Sequence, residues 1–315
     1  MSVLLTGASG FVGKNLYPYL KTYIKAEISC LYRNSHSFPY ELSSQDQLIS
    51  WGEFWEGESS YRHYIHLAGK AHDTKQVSAD KEYIEVNYEL TKKLYERFLE
   101  DPSAELFVLM SSVKAAADSV EGRLTEEVRP QPETPYGRSK LMAEDYIMEN
   151  LPEDKRVIII RPCMIHGPGN KGNLNLLYSV VSKGIPWPLG AFDNRRSFLS
   201  IDNLNYVIGE ILNGKLSSGI YNIADDEALS TNELVGLIAE VTGSRSRIWN
   251  IPEALIRLGA KAGNILPLPL DEGRLQKLTE NYVVSNQKLK EAVGIDRMPV
   301  TAGEGLIKTL RSFGS

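Results

Sequence analysis

Residues 3–13 read VLLTGASGFVG. The apolar run Val3-Leu4-Leu5 leads at once into glycines three apart, Gly7, Gly10 and Gly13, and then into an amphipathic stretch reaching about Lys21. Strand, glycine turn, helix is the order in which a dinucleotide's pyrophosphate is held. The glycines let the backbone turn tightly, approach the phosphates and pack the helix on the strand. The helix N-terminus then faces the phosphates with its free N–H groups. A glycine triplet alone says little; directly after an apolar run and opening a helix, it predicts a nucleotide-binding β–α unit.

Outward from this turn, short apolar runs alternate with helical stretches. EISCLYR (27–33), YIHLAG (64–69), ELFVLMSS (105–112) and RVIIIRP (156–162) read as strands, the last two nearly continuous in apolar character, as strands buried on both faces are. A helix spans YIEVNYELTKKLYERFL (83–99), and another opens at PYGRSK (135–140). This order predicts an α/β chain with a Rossmann-type, doubly wound parallel sheet. In the second half IYNIA (220–224) reads as a strand. Two helices carry capping boxes, Ser230 with Glu233 and Thr301 with Glu304. Residues 40–62 show no pattern that assigns them.

Composition excludes several classes. With 315 residues, 42% hydrophobic and 24% charged, the chain is ordinary for a globular protein. A net charge of −5 gives no basic surplus for nucleic acid or an anionic membrane. Cys30 and Cys163 are too few for a disulfide framework. His36, His63, His66, His72 and His166 form no ligand spacing, so no metal is expected. The N-terminus has no basic leader and no apolar run approaches bilayer length, which reads as a cytoplasmic chain.

The second strand ends Leu31-Tyr32-Arg33-Asn34, with no acid to accept from ribose hydroxyls. Arg33 therefore favours NADP(H), with NAD(H) the alternative. Within PYGRSK, Thr134 suits the cap and Pro135 the first helical position. Tyr136 and Lys140 then project side by side, four residues apart. A free phenol titrates near ~10, and an adjacent ammonium is expected to pull that value toward the working pH, making the tyrosine a proton carrier for alcohol–ketone interconversion. Ser111-Ser112, at the C-terminal end of a buried strand, places a hydroxyl where ligands of such sheets bind.

Taken together, TGASGFVG, HLAG (66–69), the Ser-Ser strand end and PYGRSK resemble the extended short-chain dehydrogenase/reductases, and among them the nucleotide-sugar epimerases, dehydratases and reductases. Val86-Asn87, RPCMIHGPG (161–169), RRSFLSIDNL (195–204), YNIA (221–224) and the terminal VVSNQKLKEAVG and PVTAGEGL fit as well, so the resemblance spans nearly the whole chain. It implies that Ser112, Tyr136 and Lys140 are catalytic. It implies a cofactor held by Gly7, Gly10, Phe11, Val12 and Gly13, with Leu67, Ala68 and Gly69 near its phosphates, Asn87 bracing the site and Pro162 bordering the nicotinamide. Arg196 and Arg274 match arginines that pair with a diphosphate, and Asn175 and Leu176 fall in the segment lining the base pocket. The implied organisation is a Rossmann domain over 1–166 and a smaller mixed α/β, mainly substrate-binding domain over 167–315, with about 198–224 returning to the sheet. A homodimer through the helices at 83–99 and 136–150 is also implied.

The chain departs from the family pattern after the serine. Val113 and Lys114 stand where 4,6-dehydratases carry an Asp-Glu pair, which argues against dehydration. SSVK (111–114) and RLQKLTENYVVS (274–285) look most like a bacterial subgroup acting on UDP-linked amino sugars for surface polysaccharide. Lys114 reads either as a substrate contact or as a solvated side chain. His166 reads either as a hydrogen-bonded residue behind the site or as a proton donor to a reacting group, and Asp225, Asp226 and Glu227 read as a solvated acidic loop. The expected function is oxidation or reduction at carbon 4 of a nucleotide sugar, by a 4-epimerase or a 4-keto reductase. Arg196 and Arg274 weigh against a reductase of non-nucleotide ketones, and the intact Ser112, Tyr136 and Lys140 against a non-catalytic cofactor-binding protein.

Overall fold

A computed structural model describes the chain except for residues 34–37, 39, 71–79, 171, 265–270 and 315. Asn34, His36 and His72 lie outside the described residues. In chain order the first half comprises β1 (Ser2–Thr6), α1 (Phe11–Tyr19), β2 (Glu27–Tyr32), β3 (Gln47–Ser50), α2 (Trp51–Glu56), β4 (His63–His66), α3 (Asp80–Tyr83), α4 (Leu90–Glu100), β5 (Leu106–Met110), β6 (Arg123–Leu124), α5 (Pro135–Glu149), β7 (Arg156–Pro162) and β8 (Met164–His166). The second half adds α6 (Asn173–Ser182), β9 (Arg196–Ser200), α7 (Ile201–Leu212), β10 (Gly219–Ile223), β11 (Ala228–Leu229), α8 (Thr231–Thr242), α9 (Glu253–Gly263), α10 (Glu272–Thr279), β12 (Val283–Val284), α11 (Gln287–Val293) and α12 (Ala302–Arg311).

Seven strands form one parallel sheet in the order β10-β7-β5-β4-β1-β2-β3. The strand order reverses between β1 and β4, so the crevice of this doubly wound sheet opens beyond Thr6 and His66. Alternation explains why its central strands read as unbroken apolar runs. Val3, Leu5, Val108, Ile158 and Ile160 face one apolar cluster, while Leu4, Phe107, Leu109, Val157 and Ile159 face the other. A third cluster joins Leu174, Trp187, Phe198, Leu234, Ile238 and Leu306, tying α6, β9, α8 and α12 together.

The capping boxes form as read: Ser230 accepts from Glu233 N–H at 3.0 Å and Thr301 from Glu304 N–H at 3.3 Å. The unassigned stretch 40–62 contains β3, the edge strand of the sheet, and α2. Its strand is only four residues long and takes its conformation from pairing with β2. The acidic loop after β10 is not solvated. Asp225 is buried and accepts from the Ser200 and Asn203 nitrogens. Asp226 accepts from Asn286, Lys290 and Met298 N–H, and Glu227 from Ala302 N–H. Asp225 thus holds the start of α7, while Asp226 and Glu227 join elements from the end of the chain.

Candidate active site

The glycine turn lies at the C-terminal end of β1. Gly7 has φ +72°, and a Cβ there would stand 2.7 Å from Ala68 N and 2.8 Å from the Leu67 carbonyl carbon. Only glycine lets β1 and the residues after β4 approach this closely. At Gly13 a Cβ would meet Gly7 O at 2.3 Å, so the first turn of α1 presses on the loop that precedes it. Gly10 caps α1 without a side-chain hydrogen bond, and the first turn carries no acid. Phe11, Val12 and Gly13 thus begin a helix whose N–H groups and dipole favour an anion. This cradle fits a dinucleotide pyrophosphate. Arg33 follows β2, exposed and without a hydrogen-bond or ion-pair partner among the described residues.

Behind the turn runs a chain of hydrogen bonds whose directions are fixed. Thr91 Oγ1 donates to the Asn87 carbonyl at 2.8 Å, so it accepts from His66 Nε2 at 3.0 Å. The imidazole then has its lone pair on Nδ1, which accepts from Thr6 Oγ1 at 2.7 Å. Thr6 Oγ1 in turn accepts from Ala68 N–H at 3.0 Å. Burial, with the charge of Lys140 adding, pushes His66 down to about 3, so it stays neutral. Asn87 sits in a π-helical turn, Ile84–Glu89, a distortion common at functional sites. Its amide accepts from Lys70 N–H at 2.8 Å and donates to Ser139 Oγ at 3.0 Å. Asn87 therefore braces the loop after β4 against α5.

Helix α5 carries Tyr136 and Lys140 and is capped by Thr134, which accepts from Gly137 N–H at 3.1 Å. Ser112 and Ser111 part company at the end of β5. Ser111 Oγ donates to the buried Glu144, which is paired with the equally buried Arg161. Ser112 faces the crevice and hydrogen-bonds the Tyr136 hydroxyl. Lys140 Nζ donates to the Met110 carbonyl at 2.9 Å, and a Cβ on Gly69 would sit 3.0 Å from it. Burial pushes the Lys140 ammonium down to about 8. The phenol does not follow the expected direction. Burial raises the Tyr136 pKa, and Ser112 supplies the opposing, smaller effect. The ammonium is held on Met110, so in this state desolvation outweighs it and Tyr136 is a protonated acid at neutral pH.

Two cavities meet at these residues. A smaller one, about 220 Å³, is lined by Leu67, Gly69, Ser112, Tyr136, Lys140 and Pro162 among others. A larger one, about 710 Å³, shares Ser112, Tyr136, Cys163 and Ile165 with it and extends past Lys114, Leu176, Arg196 and Tyr282. Lys114 is not a solvated side chain: its Nζ donates to the Asp118 carbonyl at 2.7 Å and lies 4.5 Å from the Tyr282 ring centre. Two expected substrate residues are not brought to this cavity. Asn175 turns its Oδ1 to the N–H of Gly172 at 2.9 Å, at the start of α6. Arg274 is 62% exposed on α10, beside Asp271.

Sequence reasoning gave no role to Glu280 and Tyr282 on the cavity wall, and none to Arg161 beyond its place in the strand and in the RPCMIHGPG stretch. An arginine inside an apolar run was the available signal, because a guanidinium in a sheet buried on both faces demands a carboxylate partner. His166 lies on the wall of the larger cavity, buried, with Nδ1 at 2.9 Å from Thr309 Oγ1. Among the described residues no cluster of His, Cys, Asp and Glu could hold a metal ion, and no helix is long and apolar enough to cross a membrane.

Known proteins resemble this chain along its length. The UDP-glucose 4-epimerase of Vibrio cholerae is 28% identical, the match covering 99% of this chain and 95% of the relative. The GDP-6-deoxy-D-mannose reductase of Pseudomonas aeruginosa is 26% identical over 81% of this chain and 84% of its own. The structure of the Thermus thermophilus UDP-glucose 4-epimerase in complex with NAD superposes with a TM-score of 0.75 and 22% identity, covering 100% of this chain and 99% of that one. The sequence profile of the NAD dependent epimerase/dehydratase family matches residues 3–224, which includes the glycine turn, Ser112, Tyr136 and Lys140. With that match over most of its length, the chain belongs to the NAD-dependent epimerase/dehydratase family.

Proposed function

We propose that the protein oxidises or reduces carbon 4 of a nucleotide-linked sugar, most directly a UDP sugar, as a 4-epimerase or a 4-keto reductase in bacterial surface-polysaccharide synthesis. The observation that carries this reading is the meeting of two cavities at Ser112 and Tyr136. One suits the nicotinamide end of a cofactor lying against Pro162, and the other suits a sugar reaching toward Arg196. Bound nicotinamide would supply or accept the hydride. Ser112 Oγ would hold the reacting oxygen. Tyr136, protonated at neutral pH, would give its proton to the oxygen as carbon 4 is reduced, and would take it back in the oxidative direction. Lys140 would steady the phenolate left behind.

The dinucleotide would lie on Gly7, Gly10, Phe11, Val12 and Gly13, with Ala68, Gly69 and Asn87 holding the adjoining loop. Arg33, exposed and without an acid near it on β2, supports NADP(H) over NAD(H). Of the two arginines weighed against a non-nucleotide ketone, only Arg196 lines the cavity. The wider reading includes a cofactor-binding body over 1–166 and a mainly substrate-binding body over 167–315, with about 198–224 returning to the sheet, in a cytoplasmic homodimer.

The test is nicotinamide absorbance on mixing the protein with NADPH or NADH and a UDP-linked 4-keto-6-deoxy amino sugar, with product analysis. Stoichiometric loss of reduced cofactor establishes the reductase and shows which cofactor Arg33 selects. Interconversion of UDP-hexoses with NAD, without net cofactor change, establishes the epimerase. Failure of both, with no binding of UDP, overturns the reading.

A further inference from the structure

Arg196 is the residue expected to hold a diphosphate, yet its guanidinium is already engaged. Nη2 donates to Glu280 Oε1 at 2.7 Å and to the Lys277 carbonyl at 2.5 Å, and Nε to the Glu280 carbonyl at 3.3 Å. Nη1 donates to nothing among the described residues, so one edge of the guanidinium is fixed and the other remains available. Arg196 and Glu280 are 22% and 26% exposed, which places their ion pair between a surface pair and a buried one. Lys114, Arg196 and Glu280 bring their charged side chains to the wall of the larger cavity. Lys114 is occupied by the Asp118 carbonyl and the Tyr282 ring. Glu280 is thus the carboxylate that lines the cavity and pairs with Arg196.

We propose that Glu280 is a specificity-determining residue: it screens Arg196 in the empty cavity, and only a ligand with the charge and acceptor oxygens of a diphosphate displaces it. The inference rests on the reading above that the substrate carries a diphosphate. A single weakly charged acceptor gains little at Arg196, because the carboxylate already makes the charge-assisted bond. A diphosphate adds bonds to the available Nη1 edge and repels Glu280 from the Nη2 edge. Screening in this way lowers the affinity of anions and leaves a neutral nucleoside unaffected, so an anion is held only where its added bonds to Arg196 outweigh the repulsion.

Glu280→Gln separates charge from contact, since the amide oxygen still accepts from Arg196 while the negative charge is gone. Titration calorimetry on the cofactor-loaded, full-length protein would compare UDP with uridine for wild type and variant. The expected result is UDP binding roughly five- to tenfold tighter in Glu280→Gln, the size of one partly shielded charge interaction, with uridine unchanged. Equal or weaker UDP binding by the variant, or an equal gain for uridine, overturns the inference. UDP binding by neither protein overturns the nucleotide-sugar reading itself, and this inference with it.

Discussion

The cofactor side and the substrate side of the crevice are built to different standards. Behind the glycine turn, Thr6, His66, Thr91, Asn87 and Ser139 form one continuous hydrogen-bonded chain from β1 to α5. Beside it, Ser111, Glu144 and Arg161 lock β5, α5 and β7 together. Across the crevice, Leu176 and Met164 stand partly in solvent on the wall of the larger cavity, and the polar contacts there are the partly exposed Arg196–Glu280 pair and Lys114 against Tyr282. Proton and hydride transfer need atoms held within a fraction of an ångström, whereas a sugar nucleotide is gripped by many weak contacts. On the proposed function, the chemistry would rest on the hydrogen-bonded frame and selectivity on the more exposed wall.

The contrast can be broken at its strongest point first. Tyr136→Phe removes the proposed proton carrier and leaves the frame intact; hydride transfer in a single turnover should slow by about 10²–10⁴-fold, with cofactor binding, followed by fluorescence, retained. Arg161→Met strands Glu144 without its cation; denaturant unfolding should report a loss of about 3–5 kcal/mol. A loss under about 1 kcal/mol would mean that the frame does not depend on the pair.

Acid offers a third test. The folded-state pKa values of His66 and His63 are depressed from 6.5 to about 3 and about 4, chiefly by burial. As pH falls below 6.5 the unfolded chain takes up these protons first, so stability present above that pH is lost progressively toward pH 4. At about 1.4 kcal/mol per pH unit for each group, His66 alone accounts for about 3 kcal/mol at pH 4. Melting temperature against pH should show that decline; a flat profile would contradict the neutral, buried imidazole. The smallest effect is expected on the opposite wall, where Leu176→Ser should change unfolding free energy by no more than about 0.5 kcal/mol while altering KM for the sugar nucleotide. A large stability loss there would erase the distinction between the two sides.

What sequence reading found and missed follows the same division. The glycine turn, the four strong strands and Tyr136 with Lys140 are local signals, each carried by spacing within a few residues. β3 escaped because QLIS becomes a strand only by pairing with β2. The carboxylates at 225–227 look like a solvated loop until Ser200 and Asn203 supply donors to Asp225, and residues 286–302 supply them to Asp226 and Glu227. Asn175 and Arg274 were placed by likeness to a motif. The cap of α6 and the ion pair with Asp271 then claimed their side chains. The direction of the Tyr136 shift depends on burial, which no spacing encodes.

One detail of the sheet bears on how this protein can be handled. β10 is drawn from residues 219–223 yet forms the outer edge beside β7. A polypeptide ending near His166 would leave Ile158–Pro162 of β7 with a bare row of N–H and C=O groups flanked by apolar side chains. Such an edge is a template for joining another chain. Fragments cut there should accumulate as aggregates, and limited proteolysis should release no soluble cofactor-binding piece.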